Sequence, residues 1–414
     1  MSMKKLLLPI FSLGLLAYAL VPQWQSLDRM GERRSHILNG PQKEIVVGVC
    51  WPFSVNQDGM AEGLQLAQEE INAGGLAGGI PVRLVIRDNG LDWEKSKRIA
   101  VEFSNTPQMS AVLGYYDSSI AVKASTVYES SKLLHLIVGA NSTSITTHGF
   151  NYVIRTIVSG NKIARSLARM TVDRGHKKVA LIWEQGAYGE DLAYQYRISL
   201  DSLGAELVYE SPYSHEHADF RLPVNELKGV DVDTIFFAGL EPWAGDFLRM
   251  ARQVGLKTEI IGAFSDTPEM RARAGAAGLE GALFFDYYDV SSPTPENQMF
   301  VRRFRARFGR KPDTWAAQGY DALYILAKAV QATGSVNPLD LSYAIRFMEP
   351  WQGANGSYKF DEEGELQDKP IFLDAYRNGT PVIIDQSHPI PQVQSTSVTE
   401  PDLTAQPTPV VQSH

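Results

Sequence analysis

The turn at residues 112–119 carries the residue types best suited to bind a small anion. It runs from an apolar, strand-like segment through two tyrosines, the second of which is Tyr116, to Ser118 and Ser119 at the predicted start of a helix. The first backbone N–H groups of a helix have no intrahelical partners, and the helix dipole stabilises an anion there by roughly 0.3–2 kcal/mol. The alternative is that Asp117 or Ser118 only caps the helix. The position of the turn in the fold decides between the two.

Similar polar segments follow the other predicted strands of the first half of the chain. The segment 51–54 begins with Trp51, and the segment 139–144 contains Ala140 and Asn141. In open parallel sheets, ligands bind outside the carboxyl ends of the strands. These segments offer hydroxyl groups, amides and small residues, which suit the anionic end of a small ligand. Trp51 also has a purely structural interpretation, as a packing residue.

The strands of the second half are followed by aromatic and acidic residues instead. These are Tyr188 in the segment 184–190, Glu241 in the segment 239–243 and Asp266 in the segment 262–266. Such residues suit a cationic or apolar end of the same ligand. The structural alternatives are that Tyr188 only packs and that Asp266 caps the helix before Pro268.

Alternating strand and helix patterns position these segments. Two series of short apolar runs alternate with stretches of helical spacing, and they join near residues 155–157. This alternation predicts parallel sheets with helices on both faces. Because helical segments follow the second series, we expect the chain to cross back near Tyr287 and to return near Trp351. The predicted fold class is α/β, with two Rossmann-like doubly wound lobes, a three-strand hinge and a ligand cleft between the lobes.

The crossings define the predicted boundaries. Lobe 1 comprises residues 44–156 and 287–350, and lobe 2 comprises residues 157–286 and 351–384. The polar, mixed residues 20–43 are interpreted as a linker, and residues 385–414, rich in Gln, Ser, Thr and Pro, as a disordered tail.

The N-terminal residues 1–19 have the pattern of a signal peptide. Lys4 and Lys5 precede an apolar run that is followed by small residues on either side of Tyr18. The alternative is an uncleaved anchor, although the run is shorter than the ~20 residues that span a bilayer comfortably. Either interpretation predicts that the folded part lies outside the cytoplasm.

Length, charge and cysteine content argue against several classes of protein. A chain of 414 residues is expected to form two domains, and a net charge of -8 without a basic stripe argues against nucleic-acid binding. The single cysteine, Cys50, allows no intramolecular disulfide and no zinc site of cysteine type. The segment His215-Glu216-His217 lacks a third ligand and is interpreted as a solvated loop, so no metal or other cofactor is expected.

Several segments, taken in order, resemble one family. They are residues 45–49, 69–75, 114–119, 153–156, 188–190 and 360–364. Together they resemble the extracytoplasmic solute receptors of branched-chain amino-acid ABC importers, the Leu/Ile/Val-binding branch of the type I periplasmic binding proteins. The likeness covers about residues 44–384.

The resemblance implies roles for residues of the first lobe. Ser118 or Ser119 and the pair Ala140-Asn141 occupy the positions that hold the α-carboxylate of the ligand. Asn141 stands where the family usually has threonine, so the donor at this position is longer.

The resemblance also implies roles for residues of the second lobe. Tyr188 closes over the ligand, and Asp266 is the candidate partner of the α-ammonium group. Leu240 or Glu241 occupies the position of another pocket residue.

The favoured function is capture of a small amino acid or related carboxylate, by cleft closure, for delivery to an inner-membrane ABC permease. The aromatic residues near the predicted cleft suggest a ligand group larger or flatter than the side chain of leucine. One alternative is a membrane-anchored sensing subunit of the same fold. An enzyme would need a base such as His135 or His148 for Ser118, and because the usual hydrolase, metalloprotease and phosphate-loop motifs are missing, no catalysis is expected.

Overall fold

The sheet of the first lobe contains the five strands β1 (Ile45–Trp51), β2 (Val82–Asp88), β3 (Met109–Gly114), β4 (Leu134–Ile137) and β5 (Val153–Arg155). The computed structural model describes residues 26–264 and 266–387. All the strands of this sheet run parallel, in the order β2-β1-β3-β4-β5. Every residue of β1, β3 and β4 is buried, because these mostly apolar strands have helices on both faces.

The helices of this part of the chain are α1 (residues 26–38), α2 (Phe53–Asn56), α3 (Met60–Gly74), α4 (Trp93–Ser104) and α5 (Ser118–Ser130). The carboxylate of Asp117 accepts a hydrogen bond from the N–H of Ile120 at the start of α5. Asp117 is therefore the cap of α5, as one of the two alternatives predicted, and Ser118 is the first helical residue.

The helix α1 occupies much of the predicted linker, residues 20–43. Arg34 on this helix is fully buried. Its guanidinium donates hydrogen bonds to the carbonyl oxygens of Ser104 and Ser131, at the ends of α4 and α5. The linker interpretation is wrong for this segment, because terminal carbonyl groups of two helices need donors and a polar residue of α1 supplies them.

The second lobe begins with five more strands and five helices. The strands are β6 (Lys178–Glu184), β7 (Glu206–Tyr213), β8 (Thr234–Ala238), β9 (Glu259–Gly262) and β10 (Ala282–Asp286). The helices are α6 (Gly160–Asp173), α7 (Ala187–Ser202), α8 (Arg221–Glu226), α9 (Glu241–Gln253) and α10 (Pro268–Leu279). The five strands pair in parallel, as the alternating pattern predicted.

The chain then returns to the first lobe, where α12 packs along α3. The elements of this return are α11 (Pro295–Phe308), α12 (Thr314–Thr333), α13 (Pro338–Arg346) and the hairpin of β11 (Trp351–Gly353) and β12 (Gly356–Tyr358). The carboxylate of Asp321, on α12, accepts hydrogen bonds from the N–H groups of Ala354 and Asn355 in the hairpin turn. The hairpin is therefore fixed to a helix of the first lobe.

The last hairpin, β13 (Phe372–Arg377) and β14 (Thr380–Gln386), completes the second sheet in the order β14-β13-β10-β9-β8-β6-β7. The predicted return at Trp351 is thus too early, because Asp321 holds the intervening hairpin on the first lobe. The strand β14 also includes residues 385 and 386, which were predicted to belong to the tail. Residues 388–414 of that tail and residues 1–19 lie outside the described residues.

Three segments connect the lobes, at residues 156–159, 287–294 and 359–371. The predicted α/β class, the two lobes and their parallel sheets are confirmed. One apolar cluster extends across both lobes and joins Leu113 and Tyr116 to Tyr188 and Leu240. The carboxyl ends of the two sets of strands face each other across this cluster.

Candidate functional site

A small cavity of about 10 Å³ lies between the lobes. Its lining residues come from both lobes and from one of the connecting segments: Tyr116, Gly139, Asn141, Tyr188, Leu240, Glu241, Tyr287 and Trp315. A space of this size holds roughly one water molecule. The side chains themselves therefore fill most of the cleft in this closed arrangement.

A hydrogen bond between Tyr116 and Glu241 spans this cavity. The hydroxyl of Tyr116, after β3, donates to Oε2 of Glu241, the first residue of α9. Glu241 is only 4% exposed. Burial, and then the neighbouring charge of Glu241, raise the pKa of Tyr116 well above its ordinary value, so its hydroxyl remains a donor. This contact brings one carboxylate into the middle of the site.

Aromatic rings surround the hydrogen bond. The ring of Trp315, at the start of α12, lies 5.3 Å from that of Tyr116 and 6.2 Å from that of Tyr287. The ring of Trp51 lies 5.1 Å from those of both Tyr116 and Trp315. These edge-on and tilted contacts stabilise the wall on which a flat or apolar group of a ligand can pack.

Trp51 supports this wall rather than lining the cavity. It is fully buried, and its Nε1 donates to Oδ2 of Asp58 over 2.9 Å. Burial, and then the charge of Asp313, raise the pKa of Asp58 to about 7. Trp51 therefore packs against Tyr116 and is not among the residues that line the cavity.

Tyr188 closes the cavity from the second lobe. Its ring is buried, and its hydroxyl donates to the carbonyl oxygen of Ala263 over 2.9 Å. The prediction that Tyr188 reaches the cleft agrees with its position in the cavity lining.

The two serines of the opening turn have different partners. The Oγ of Ser118 accepts hydrogen bonds from the N–H groups of Asn141 and Ser142, at 3.1 and 3.2 Å. The Oγ of Ser119 accepts one from the N–H of Ala187, the first residue of α7 in the other lobe, at 3.1 Å. Ser118 thus joins two segments of the first lobe, whereas Ser119 joins the lobes.

The loop after β4 contributes Asn141, while Ala140 is buried beside it and lines no part of the cavity. The side-chain amide of Asn141 donates to the carbonyl oxygen of Val158 over 2.6 Å. Nη1 of Arg155 donates to the carbonyl oxygens of Asn141 and Ser142 at 2.9 and 2.5 Å. A buried guanidinium next to a connecting segment therefore holds the loop in shape.

Asp266 does not reach the cavity. Its carboxylate accepts a hydrogen bond from the hydroxyl of Tyr376 and forms an ion pair of 2.6 Å with Arg271. The helix cap that follows is Thr267, whose hydroxyl accepts from Met270. The carboxylate that does enter the cavity is Glu241, so the assignment of the acidic group to Asp266 is not supported by this geometry.

Three lining residues were not among the predicted site residues, namely Gly139, Tyr287 and Trp315. Tyr287 follows directly after β10, so the rule that ligands bind at strand ends points to it. Trp315 belongs to a helix that follows no strand of its sheet. The one feature of the sequence that could have pointed to Trp315 is its position, one residue after the start of α12, where Asp313 caps the helix.

The geometry offers no support for a nucleophilic serine. His135, the proposed base, contacts Ser125 and the carbonyl oxygen of Gly114, and burial lowers its pKa to about 3. Burial raises the pKa of the Cys50 thiol to about 12, so the thiol is not a nucleophile. Among the described residues, no cluster of His, Cys, Asp or Glu side chains is arranged to hold a metal ion.

Comparison with known proteins agrees with this architecture. The model of a protein family with the description periplasmic binding protein matches residues 45–376 of this chain. An amino acid binding protein of Pseudomonas aeruginosa is 25% identical over 78% of this chain and 88% of its own. A leucine-, isoleucine-, valine-, threonine- and alanine-binding protein of the same organism is 26% identical over 77% of this chain and 85% of its own.

A solved structure shows the same fold. The ABC transporter substrate-binding protein of Desulfitobacterium hafniense, in complex with Leu, is 30% identical, with a TM-score of 0.74 over 82% of this chain and 100% of its own. Within residues 26–264 and 266–387, no helix is both long and apolar enough to cross a bilayer. From the extent of the family match and the closed two-lobe cleft, the chain belongs to the periplasmic binding protein family.

Proposed function

We propose that this protein captures a small amino acid, or a related solute, in the cleft between its lobes and delivers it to an inner-membrane ABC permease. The observation that carries the proposal is the hydrogen bond between Tyr116 and Glu241 inside an aromatic enclosure. It brings a buried carboxylate and a hydroxyl donor from opposite lobes to one point. A ligand that contacts both groups stabilises the closed arrangement.

The chemistry of the enclosure fits an ammonium group better than a second anion. Glu241 is the one charged residue among the described residues that line the cavity. A charge-assisted hydrogen bond from an ammonium group to a buried carboxylate contributes more than a neutral one, about 1.5–3 kcal/mol. The tyrosine hydroxyls and the amide of Asn141 then serve as donors for the carboxylate or carbonyl group of the same solute.

Binding requires the lobes to separate and close again. A cavity of about 10 Å³ is far below the volume of a small-molecule site, which is roughly 300–1,000 Å³. The solute would replace the contact between Tyr116 and Glu241 and bridge the lobes itself. It favours the closed form only by its greater affinity for that form.

Two relatives support the amino-acid class of solute, because their names give amino acids as what they bind. The structure from Desulfitobacterium hafniense supports it too, since it contains Leu. The family also supports a location outside the cytoplasm. We propose export by the Sec route through residues 1–19, with removal of that segment. N-terminal sequencing of the exported protein tests the removal, and an intact Met1 would favour the anchored sensing subunit instead.

Calorimetric titration of the purified protein with single amino acids, amides and aromatic carboxylates tests the binding function. We expect one solute bound per chain, with a Kd in the micromolar range or below, which corresponds to about -8 kcal/mol. The absence of heat across all three classes would overturn the proposal.

The variant Glu241→Gln tests the role of the carboxylate. We expect the affinity for the amino-acid solute to fall by roughly 10- to 100-fold, because the charge on the hydrogen bond is lost while the shape is kept. The matched control is Glu280→Gln, an exposed residue of the same lobe. Equal affinities for the two variants would contradict the assignment of the ammonium partner.

A further inference from the structure

A second and larger space opens on the other side of Trp315. This acidic groove has a volume of about 640 Å³ and lies between the last hairpin of the second lobe and the start of α12. Five carboxylates line it: Asp266, Asp286, Asp289, Asp313 and Asp374. Among the described residues of the lining, the basic ones are Arg271 and Lys311. The groove therefore carries an excess of negative charge.

The partners of these carboxylates divide them into two groups. Asp266 pairs with Arg271, and Asp313 accepts hydrogen bonds from backbone N–H groups and pairs with Arg310. In the part of the chain that the structure describes, Asp286, Asp289 and Asp374 form no ion pair. Three carboxyl groups are thus left without a cationic partner.

Asp374 is the most informative member of the second group. It lies on β13, is only 6% exposed, and its Oδ1 has no hydrogen-bond partner among the described residues. A buried carboxylate oxygen without a donor is costly, by about 1–3 kcal/mol or more. Burial, and then the charge of Asp266, raise the pKa of Asp374 to about 7. The groove therefore contains a buried acceptor that a donor from a ligand would satisfy.

The neighbouring Asp286 is a second buried carboxyl group of the groove. Its Oδ1 accepts hydrogen bonds from the hydroxyl of Thr314 and the N–H of Tyr287. Burial, and then the charge of Asp374, raise the pKa of Asp286 to about 8. The two carboxyl groups therefore lie near enough to repel each other, and one cationic group between them would relieve both.

The rest of the lining indicates an organic cation rather than a metal ion. The carboxylates are spread along the groove, and none of the described residues form a cluster suited to a metal. Part of the lining is apolar and comes from β14, the strand that pairs with β13: Pro381, Val382 and Ile383, of which Val382 is 44% exposed and Ile383 is the strand partner of Asp374. An aliphatic chain packs on such a wall, while a compact hydrated ion gains nothing from it.

We propose that the acidic groove is a binding site for an aliphatic organic cation of the diamine class. One ammonium group is held by Asp286 and Asp374, and the alkyl chain lies along Pro381, Val382 and Ile383. We treat this site as distinct from the cleft, because the two linings share Trp315 and differ in every other described residue.

Calorimetric titration of the full chain with putrescine tests the proposal. We expect saturable binding with a Kd of about 1 mM or tighter, and an affinity at least roughly tenfold lower for Asp374→Asn. The matched control, Asp201→Asn, removes one exposed carboxylate of the second lobe and should bind putrescine as the parent does. Should Asp374→Asn fail to fold, Asp286→Asn takes its place.

Three outcomes would overturn the proposal. They are no saturable binding of putrescine, equal binding by Asp374→Asn and the parent, and displacement of putrescine by equimolar calcium chloride. The variant Glu241→Gln separates the two sites, since it should weaken the amino-acid solute and leave putrescine binding unchanged. Loss of putrescine binding in Glu241→Gln would place the amine in the cleft and would also overturn the proposal.

Discussion

Ser118 and Ser119 are neighbours in the sequence but bond to different parts of the molecule. Ser118 is buried and accepts from two backbone N–H groups of the loop after β4, whereas Ser119 is partly exposed and accepts from Ala187 across the cleft. The resemblance to solute receptors assigned them one shared role, that of holding a carboxylate. In the structure, Ser118 maintains the loop after β4, whereas Ser119 joins the lobes.

The alanine variants of these two serines should therefore affect different properties, namely stability for Ser118 and solute binding for Ser119. Ser118→Ala leaves two buried N–H groups without an acceptor, so we expect the free energy of unfolding to fall by about 2 kcal/mol. Ser119→Ala should change the free energy of unfolding by less than about 0.5 kcal/mol and weaken solute binding by several-fold, because only the closed form makes this contact. Urea unfolding and calorimetry of both variants check this, and the reverse pattern would show that the roles are exchanged.

The acidic group of the site shows the limit of sequence reasoning at this scale. Asp266 and Glu241 both follow strands of the second sheet, and a strand end alone does not determine which side chain turns toward the cleft. Glu241 turns inward as the first residue of α9, while Asp266 has Arg271 and Tyr376 as nearer partners. Arg271 lies on the helix that follows Asp266, and Tyr376 lies on a strand 110 residues away. The hydrophobic spacing of the local sequence indicates neither contact.

At the scale of elements, α7 is the part of the second lobe that holds the cleft closed. Its first residue, Ala187, donates to Ser119. One turn later Asp191 accepts hydrogen bonds from the N–H and the hydroxyl of Thr143, at 2.8 and 2.9 Å. The start of this helix thus contacts the start of α5 and the segment after β4 in the first lobe.

Asp191→Asn should weaken this contact without changing the enclosure of the solute. An amide accepts the same hydrogen bonds without charge assistance, so we expect roughly 1 kcal/mol of lost closed-state stability and a solute dissociation rate about fivefold higher. Stopped-flow fluorescence measures the rate. Asp201→Asn, on the last turn of the same helix, is the matched control, and an equal rate for both variants would argue against closure by α7.

The elements that were predicted well and those that were missed differ in their source of stability. The strands β1 and β3 are continuous apolar runs, which are typical of buried parallel strands. The helix α1 is polar and mixed, and it is held by the donation of Arg34 to carbonyl groups of Ser104 and Ser131. A tertiary contact of this kind has no counterpart in local hydrophobic periodicity.

At the scale of the whole molecule, buried carboxyl groups make stability depend on pH. The pKa of Asp286 is about 8 in the folded protein, against 3.8 for an ordinary Asp, because of burial and then the charge of Asp374. Between these two values the folded state holds a proton that the unfolded state releases. The contribution of Asp286 to the free energy of unfolding is therefore complete below pH 4 and is lost as pH rises toward 8.

Asp286→Asn isolates this contribution. The neutral amide resembles the protonated carboxyl, so the variant should match the parent near pH 4 and become more stable relative to it up to pH 8. We expect the difference to grow by roughly 1 kcal/mol per pH unit at most, and to level off above pH 8. Urea unfolding across this range measures the difference, and a constant difference would show that Asp286 is ionised in the folded protein.

The order of the lobes and the cleft between them could be anticipated because the alternating pattern and the crossings are properties of long segments. The point of return could not, because a single buried carboxylate, Asp321, holds the β11–β12 hairpin on the first lobe. Boundaries between lobes therefore depend on single contacts that the length of the elements does not reveal.

The attachment of α1 also determines which lobe is the frame of reference for closure. Because Arg34 ties this helix to the ends of α4 and α5, the N-terminal end of the described chain is joined to the first lobe and not to a connecting segment. Relative to the N-terminal end of the described chain, closure moves the second lobe and leaves the first sheet in place. In that frame, we expect the displacement that solute binding produces to be greatest at the surface of the second lobe.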